Sequence, residues 1–203
     1  MARRAGSDGE ATRSAIERTA IRHVASMGYA AASLRGIADE VGITKAAIYH
    51  YYPSKSELVD GILGALVDEW IARIRKAIGG TSSLREQFLA ILEEALRFSA
   101  DYPEAARFSS AVFIEAANDP RLAASIERRP KLESTIYRDM ARAAAARGEL
   151  APGLDPRAVV DAFAAVVQGL LYLSSHLSRT RHVAAVRAVE QLLSGALLYA
   201  PVE

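Results

Sequence analysis

Residues 34–52 read LRGIADEVGITKAAIYHYY, and this stretch limits the fold more than any other. Leu34, Ile37, Ala38 and Val41 recur at i, i+3, i+4 and i+7, one face of a short helix, with Ser33 placed as its N-cap and Gly42 as its stop. Thr44 caps a second short helix through about Tyr51. Pro53 closes it, because the residue before a proline is pushed out of the helical region. Two short helices crossing at a steep angle need a small residue where their backbones approach, a turn that accepts positive φ, and apolar side chains on both inner faces. Ala38, Gly42 and the set Ile37, Val41, Ile43 and Ile48 supply these in order. A helix-turn-helix and any other compact helical hairpin both satisfy this pattern.

The rest of the chain continues the same periodicity. An amphipathic segment from about Thr12 to Met27 carries Ile16, Ala20, Val24 and Met27 on one face and ends at Gly28. Ser54-x-x-Glu57 is a capping box that opens a long helix over 54–78, with Leu58, Ile62, Leu66, Trp70 and Ile74 inward and Gly79-Gly80 as its end. Further starts stand at Ser83-x-x-Glu86, Pro103, Asp119-Pro120 and Asp155-Pro156, where aspartate caps and proline fits the first turn. Gly148 and Ala151-Pro152-Gly153 break the chain before the final helices, expected over about Pro156–Leu177 and His182–Tyr199. No alternating β-branched run appears, so the expected fold is all-α with about nine helices.

Composition removes several functions. Without cysteine there is no disulfide framework, thiolate metal site or cysteine nucleophile. No Gly-rich phosphate loop, H-E-x-x-H, Gly-x-Ser-x-Gly or Glu-x-x-His stands in the chain, so the reading expects no enzyme, no cofactor and no metal. The polar, basic start lacks the apolar core of a signal peptide, and no apolar run is read as reaching the roughly 18–20 residues of a membrane span. A cytoplasmic protein without a membrane partner is the expectation. A net charge of +1 gives no overall basic excess, so any footprint for nucleic acid has to be local.

TKAAIYHYYPSKSEL (44–58) closely resembles the recognition helix and following turn of the TetR family, the likeness covering some fifty N-terminal residues. The resemblance implies a three-helix DNA-binding domain over 1–53 with an arm at 1–11, followed by an effector-binding and dimerisation domain over 54–203 joined by the helix 54–78. It places Lys45 and Ala46 at base edges in the major groove, with Arg35 reaching a guanine from the preceding helix. Tyr49, His50 and Tyr51 meet sugar and phosphate, and Lys55 binds a further phosphate at the start of the long helix. Ser33 and Thr44 are caps whose hydroxyls also touch phosphate. Tyr52 and Ile48 are core, and Arg3 and Arg4 could reach a minor groove as a flexible arm. A bidentate base contact discriminates by only ~1–3 kcal/mol, whereas specific sites exceed random DNA by ~4–10 kcal/mol. Two half-sites, a dimer and a near-palindromic operator follow.

Beyond Gly80 the resemblance is one of helix order. The last two helices are rich in small residues, Ala162, Ala164, Ala165 and Gly169, then Ala184, Ala185, Ala188, Gly195 and Ala196, as in the four-helix homodimer interface that the family implies. Trp70, Phe98, Tyr102, Phe108, Phe113, Tyr137, Gln168 and Tyr172 are the candidates to line a pocket for a small apolar or amphipathic effector that releases a repressor from DNA. Periodicity leaves each of these aromatics open as plain core. The alternatives are a helical interaction protein without specific DNA binding and an all-α enzyme of unfamiliar machinery. Activation rather than repression would use the same residues.

Overall fold

The computed structural model describes residues 4–128 and 132–194. Ten helices and no strand occur among the described residues: α1 (Arg4–Ala31), α2 (Leu34–Val41), α3 (Lys45–Tyr51), α4 (Lys55–Ile78), α5 (Leu84–Asp101), α6 (Ala105–Ala116), α7 (Pro120–Arg128), α8 (Leu132–Ala146), α9 (Pro156–Ser174) and α10 (Arg179–Leu193). The helix beyond the expected nine is α8, for which no start was read from the sequence. α7 ends at Arg128 and α8 begins at Leu132.

Local chemistry accounts for most boundaries. Ser83 and Glu86 form a complete capping box, each side chain accepting from the other's backbone N–H. At α4 the Ser54 hydroxyl accepts from Glu57 N at 3.1 Å, but the Glu57 carboxylate turns to that hydroxyl, so only half of the expected box is present. Asp155 caps α9 with Pro156 at the first helical position.

Two compact units divide the chain. One holds α1–α3, α4 as far as Val67, α6 and α7; the other holds the remainder of α4 with α5, α8, α9 and α10. The boundary expected at residue 53 followed the motif alone. α6 belongs with the N-terminal unit because Ala105, Phe108 and Val112 form a buried stripe, and this helix packs along α1.

In the first unit Ile16, Ala20, Val24, Ile37, Ile48 and Leu58 are almost fully buried. Met27, expected on the same face, is 50% exposed because α1 leaves helical geometry at Gly28, where φ is 83° and ψ is 163°. α1 also begins earlier than expected. The segment assigned to an arm is helical from Arg4. Arg3 lies outside the described residues.

The second unit is built on α5, whose Phe88, Ile91, Leu92, Ala95 and Phe98 form a buried stripe. The rings of Phe88 and Phe163 stack at 3.8 Å between α5 and α9. α9 buries Val159, Val160, Val167 and Leu170, while Ala162, Ala165, Gly169 and Tyr172 run along its exposed side. At 19 residues and a mean hydropathy of 1.3, α9 is long and apolar enough to pass for a span by length and composition, contrary to the expectation that no segment would. Only 22% of it is buried.

Candidate functional site

The α2–α3 pair is held by its caps and its core. Ser33 Oγ accepts from Gly36 N at 3.1 Å and Thr44 Oγ1 accepts from Ala47 N at 3.1 Å. Between the helices Gly42 adopts φ 80° and ψ 30°, and both Gly42 N and Ile43 N donate to Ala38 O at 3.0 Å. This is a left-handed C-cap that glycine enters without a Cβ clash. Ile48 is fully buried and pins α3 from beneath, and Tyr52 at its C-cap is 7% exposed. The Tyr52 hydroxyl donates to the Glu17 carboxylate of α1, and burial, then that carboxylate, raises its pKa well above the ordinary value. α2 is tied to α1 by Glu40, whose carboxylate meets Arg22 and, at 2.6 Å, His23 Nε2. The His23 hydrogen bond, assisted by Arg22, holds Glu40 below the usual carboxylate range.

With Ile48 inward, the other side of α3 is presented to solvent. Lys45, Ala46, Tyr49 and His50 are all exposed, and Tyr49 shows 44% of its surface. Tyr51 is half-buried, its ring edge-on to His50 at 5.9 Å. Among the described residues Arg35 on α2 pairs with Asp39, at 3.8 Å with both side chains largely in water, so its guanidinium is available for exchange to a stronger anion. The Ser33 and Thr44 oxygens act as cap acceptors, which leaves each hydroxyl proton free to donate outward.

Lys55 is a correction. Expected at a phosphate, its ammonium instead donates to the Tyr29 carbonyl at 2.7 Å, the Ala32 carbonyl at 2.9 Å and the Ala30 carbonyl at 3.4 Å. It also sits 4.1 Å from the Tyr29 ring centroid. Burial pushes its pKa down, opposed by Glu115 and Asp119. An ammonium has three N–H donors, and here all three are committed to the carbonyls that follow the Gly28 break. The residue fastens the start of α4 to the end of α1. Spacing alone could not reveal this, because the acceptors are backbone atoms more than twenty residues away.

The eight residues expected to line a pocket are divided between the two units, Phe108 and Phe113 in the first and the other six in the second. Trp70, Phe98 and Tyr102 form one aromatic run, with centroids 5.3 Å apart for the first pair and 4.9 Å for the second. The Arg73 guanidinium lies over Phe98 and Tyr102 at 5.6 and 5.4 Å. Tyr137 and Phe108 are completely buried as core, each in a different unit. Phe113 and Tyr172 are each 53% exposed, and Gln168 is exposed on α9. These three lie on the outward sides of their helices, a distinction that aromatic content does not encode.

What sequence reasoning missed is polar. Arg73 binds Glu69 at 2.7 Å, Asp101 at 2.7 Å and the buried Glu94 at 3.2 Å, while Arg97 meets Glu94 at 2.8 Å. The pairs Glu69–Arg73 and Glu94–Arg97 have local helical spacing, whereas Glu94 and Asp101 reach Arg73 from another helix. Nearby, a cavity lined by Arg73, Arg97, Asp101, Arg179, His182 and further residues contains none of the eight expected side chains. No trio of His, Asp or Glu among the described residues is arranged to hold a metal ion.

The model of the tetR family of bacterial regulatory proteins matches residues 16–62. That of the tetracyclin repressor-like C-terminal domain matches residues 78–192. The HTH-type transcriptional repressor KstR2 of Mycobacterium tuberculosis is 29% identical over 136 residues, covering 64% of this chain and 65% of that protein. The HTH-type transcriptional regulator RutR of Escherichia coli K12 is 31% identical over 103 residues, 48% of this chain and 45% of the relative. The chain thus spans less than two thirds of the length of these relatives. A likeness in fold extends further: the transcriptional regulator FadR from Bacillus subtilis, in complex with stearoyl-CoA, superposes with a TM-score of 0.75 at 18% identity, over 90% of this chain and 98% of that one. With its helix-turn-helix matched at 16–62 and more than half its length matched by the C-terminal domain, the chain belongs to the TetR family of bacterial regulatory proteins.

Proposed function

We propose that this protein is a ligand-responsive, non-enzymatic DNA-binding regulator, a repressor that binds a near-palindromic operator as a homodimer and is released by a small apolar or amphipathic effector. The observation that carries the reading is the outward face of α3. Lys45, Ala46, Tyr49 and His50 stand exposed on a helix whose opposite side is anchored by fully buried Ile48. Lys45 and Ala46 read base edges, with Arg35 reaching a guanine after leaving Asp39. Tyr49, His50 and Tyr51 meet the backbone, joined by the hydroxyl protons of Ser33 and Thr44.

The dimer forms through α9 and α10. Support comes from the exposed run Ala162, Ala165, Gly169 and Tyr172 on α9 and from Leu192 and Leu193 on α10, 54% and 36% exposed. Small residues let a partner's backbone approach closely, and apolar area of this kind left in water is what a second copy covers. Gly195 and Ala196, expected at the same interface, lie outside the described residues. Control of DNA affinity runs along α4, which is continuous from Lys55 to Ile78. The effector favours dimers whose α3 helices no longer match the half-site spacing, by no more than its differential affinity for the two states.

Selection from random duplex DNA with the full-length protein tests the reading. Recovery of a two-fold-symmetric sequence, with two chains per duplex, is expected. Enrichment of no sequence at low salt would sink the specific-regulator reading and favour a helical interaction protein.

A further inference from the structure

α3 is seven residues long and packs mainly against α2. Ile48 is the one buried residue of the seven. An aliphatic contact is non-directional, so Ile48 holds the depth of the helix without fixing its roll. A second fixed point lies at Tyr52, also buried, whose backbone N–H closes the last turn on the Ile48 carbonyl at 2.9 Å.

Three helices meet at the Tyr52 side chain. Its hydroxyl donates to the Glu17 carboxylate of α1 at 2.5 Å. The Arg13 guanidinium, one turn earlier on α1, stands 5.5 Å from the ring centroid. On α4, a Cβ added at Gly61 would come within 3.9 Å of the ring edge, so the ring lies against that part of the helix. The contacts of Arg13 and Gly61 need only the ring. The hydroxyl adds a directional bond to a charged acceptor, and direction is what fixes an orientation.

α2 has its own tie to α1, through Glu40 with Arg22 and His23. Loss of the Glu17–Tyr52 bond therefore leaves α2 in place and frees α3 to turn about Ile48, which moves Lys45, Ala46 and Tyr49 together. Base-edge contacts depend on hydrogen-bond geometry, whereas attraction to the phosphates tolerates such a turn. We propose that Glu17 is a positioning residue for operator recognition, acting through the Tyr52 hydroxyl to set the roll of α3. This deepens the DNA-binding half of the reading above and rests on it for the consequence at an operator.

The test compares wild type with Glu17→Ala, Glu17→Gln, Tyr52→Phe and the double variant Glu17→Ala/Tyr52→Phe, each as full-length protein shown to be folded by its α-helical signal. Anisotropy with the selected operator and with unrelated duplex gives a discrimination ratio, and amide hydrogen exchange without DNA reports the hold on α3. Glu17→Ala and Tyr52→Phe should each lower the ratio about tenfold, as loss of one charge-assisted hydrogen bond does. The double variant should lose no more than either single one, because both remove the same bond. Glu17→Gln sheds the charge as alanine does but keeps a carbonyl acceptor, and should recover most of the ratio. Without DNA the Tyr52 amide should exchange about tenfold faster in Glu17→Ala and Tyr52→Phe than in wild type, while α2 amides keep their rates. Equal ratios for Glu17→Ala and Glu17→Gln, losses that multiply in the double variant, or unchanged exchange at Tyr52 would overturn the assignment. Should wild type select no operator, the regulator reading fails, and the exchange rates alone decide whether Glu17 holds α3.

Discussion

Replacing Lys55 by alanine separates what the structure assigns to this residue from what the helix-turn-helix motif suggests. Its bonds to the Tyr29 and Ala32 carbonyls, at 2.7 and 2.9 Å, are charge-assisted. Such bonds contribute ~1.5–3 kcal/mol each, and an ammonium over a tyrosine ring adds ~0.5–2 kcal/mol. Desolvation of the ammonium, which lowers its pKa, acts against this gain. The contacts are only part-buried, so water replaces a share of them once the side chain is gone. A net loss of about 2 kcal/mol follows from the balance. With a urea slope of about 2 kcal/mol/M, the unfolding midpoint should fall by about 1 M at fixed protein concentration. Affinity for an operator, measured where the variant remains folded, should keep its salt dependence. A phosphate ligand behaves in the opposite way: its removal flattens the salt slope by about one contact and leaves stability nearly unchanged. Lys55→Ala with wild-type stability and a flattened slope would refute the assignment to the α1 carbonyls.

Other outcomes follow from the same geometry. Ile48→Ala removes a fully buried side chain beneath α3 and should cost about 2–5 kcal/mol, read as lost α-helical signal at lower urea. Gly42→Val forces a β-branched residue to φ 80°; a loss of about 1–2 kcal/mol is expected, and equal stability would contradict the left-handed cap. Burial lowers the pKa of His182 from its ordinary 6.5. The unfolded chain therefore takes the proton first as pH falls, and the stability due to neutral His182 is complete above 6.5 and declines below it. Urea midpoints at pH 7.5 and 5.5 should differ more for wild type than for His182→Leu, and an equal difference would show that the ring is not buried neutral.

Local signals were legible where one residue type has one mechanical use. Ser33, Gly42, Thr44 and Pro53 bound α2 and α3 because caps, a left-handed glycine and a proline act through their nearest backbone neighbours. Ile48 was legible as core for a similar reason, since it is the one large aliphatic side chain in α3. The role of Lys55 was not legible, because its partners, the carbonyls after Gly28, are remote in sequence. The effector side was read as aromatic because pockets are usually apolar. Tyr137 and Phe108 instead fill the cores of separate units, and the cavity of the second unit is lined in part by the ion-paired Arg73, Arg97 and Asp101. Pairing of that kind depends on which helices are neighbours, and composition does not record it.

The central claim is that the exposed face of α3 reads DNA, and its most direct measurement is fluorescence anisotropy of a selected duplex with wild type, Lys45→Ala and Tyr49→Ala at two salt concentrations. Tight wild-type binding should weaken as salt rises. Both variants should lose about 1–3 kcal/mol of affinity while keeping wild-type unfolding midpoints, because their side chains are exposed. Equal affinity for unrelated DNA, or binding by both variants as tight as that of wild type, would contradict the account.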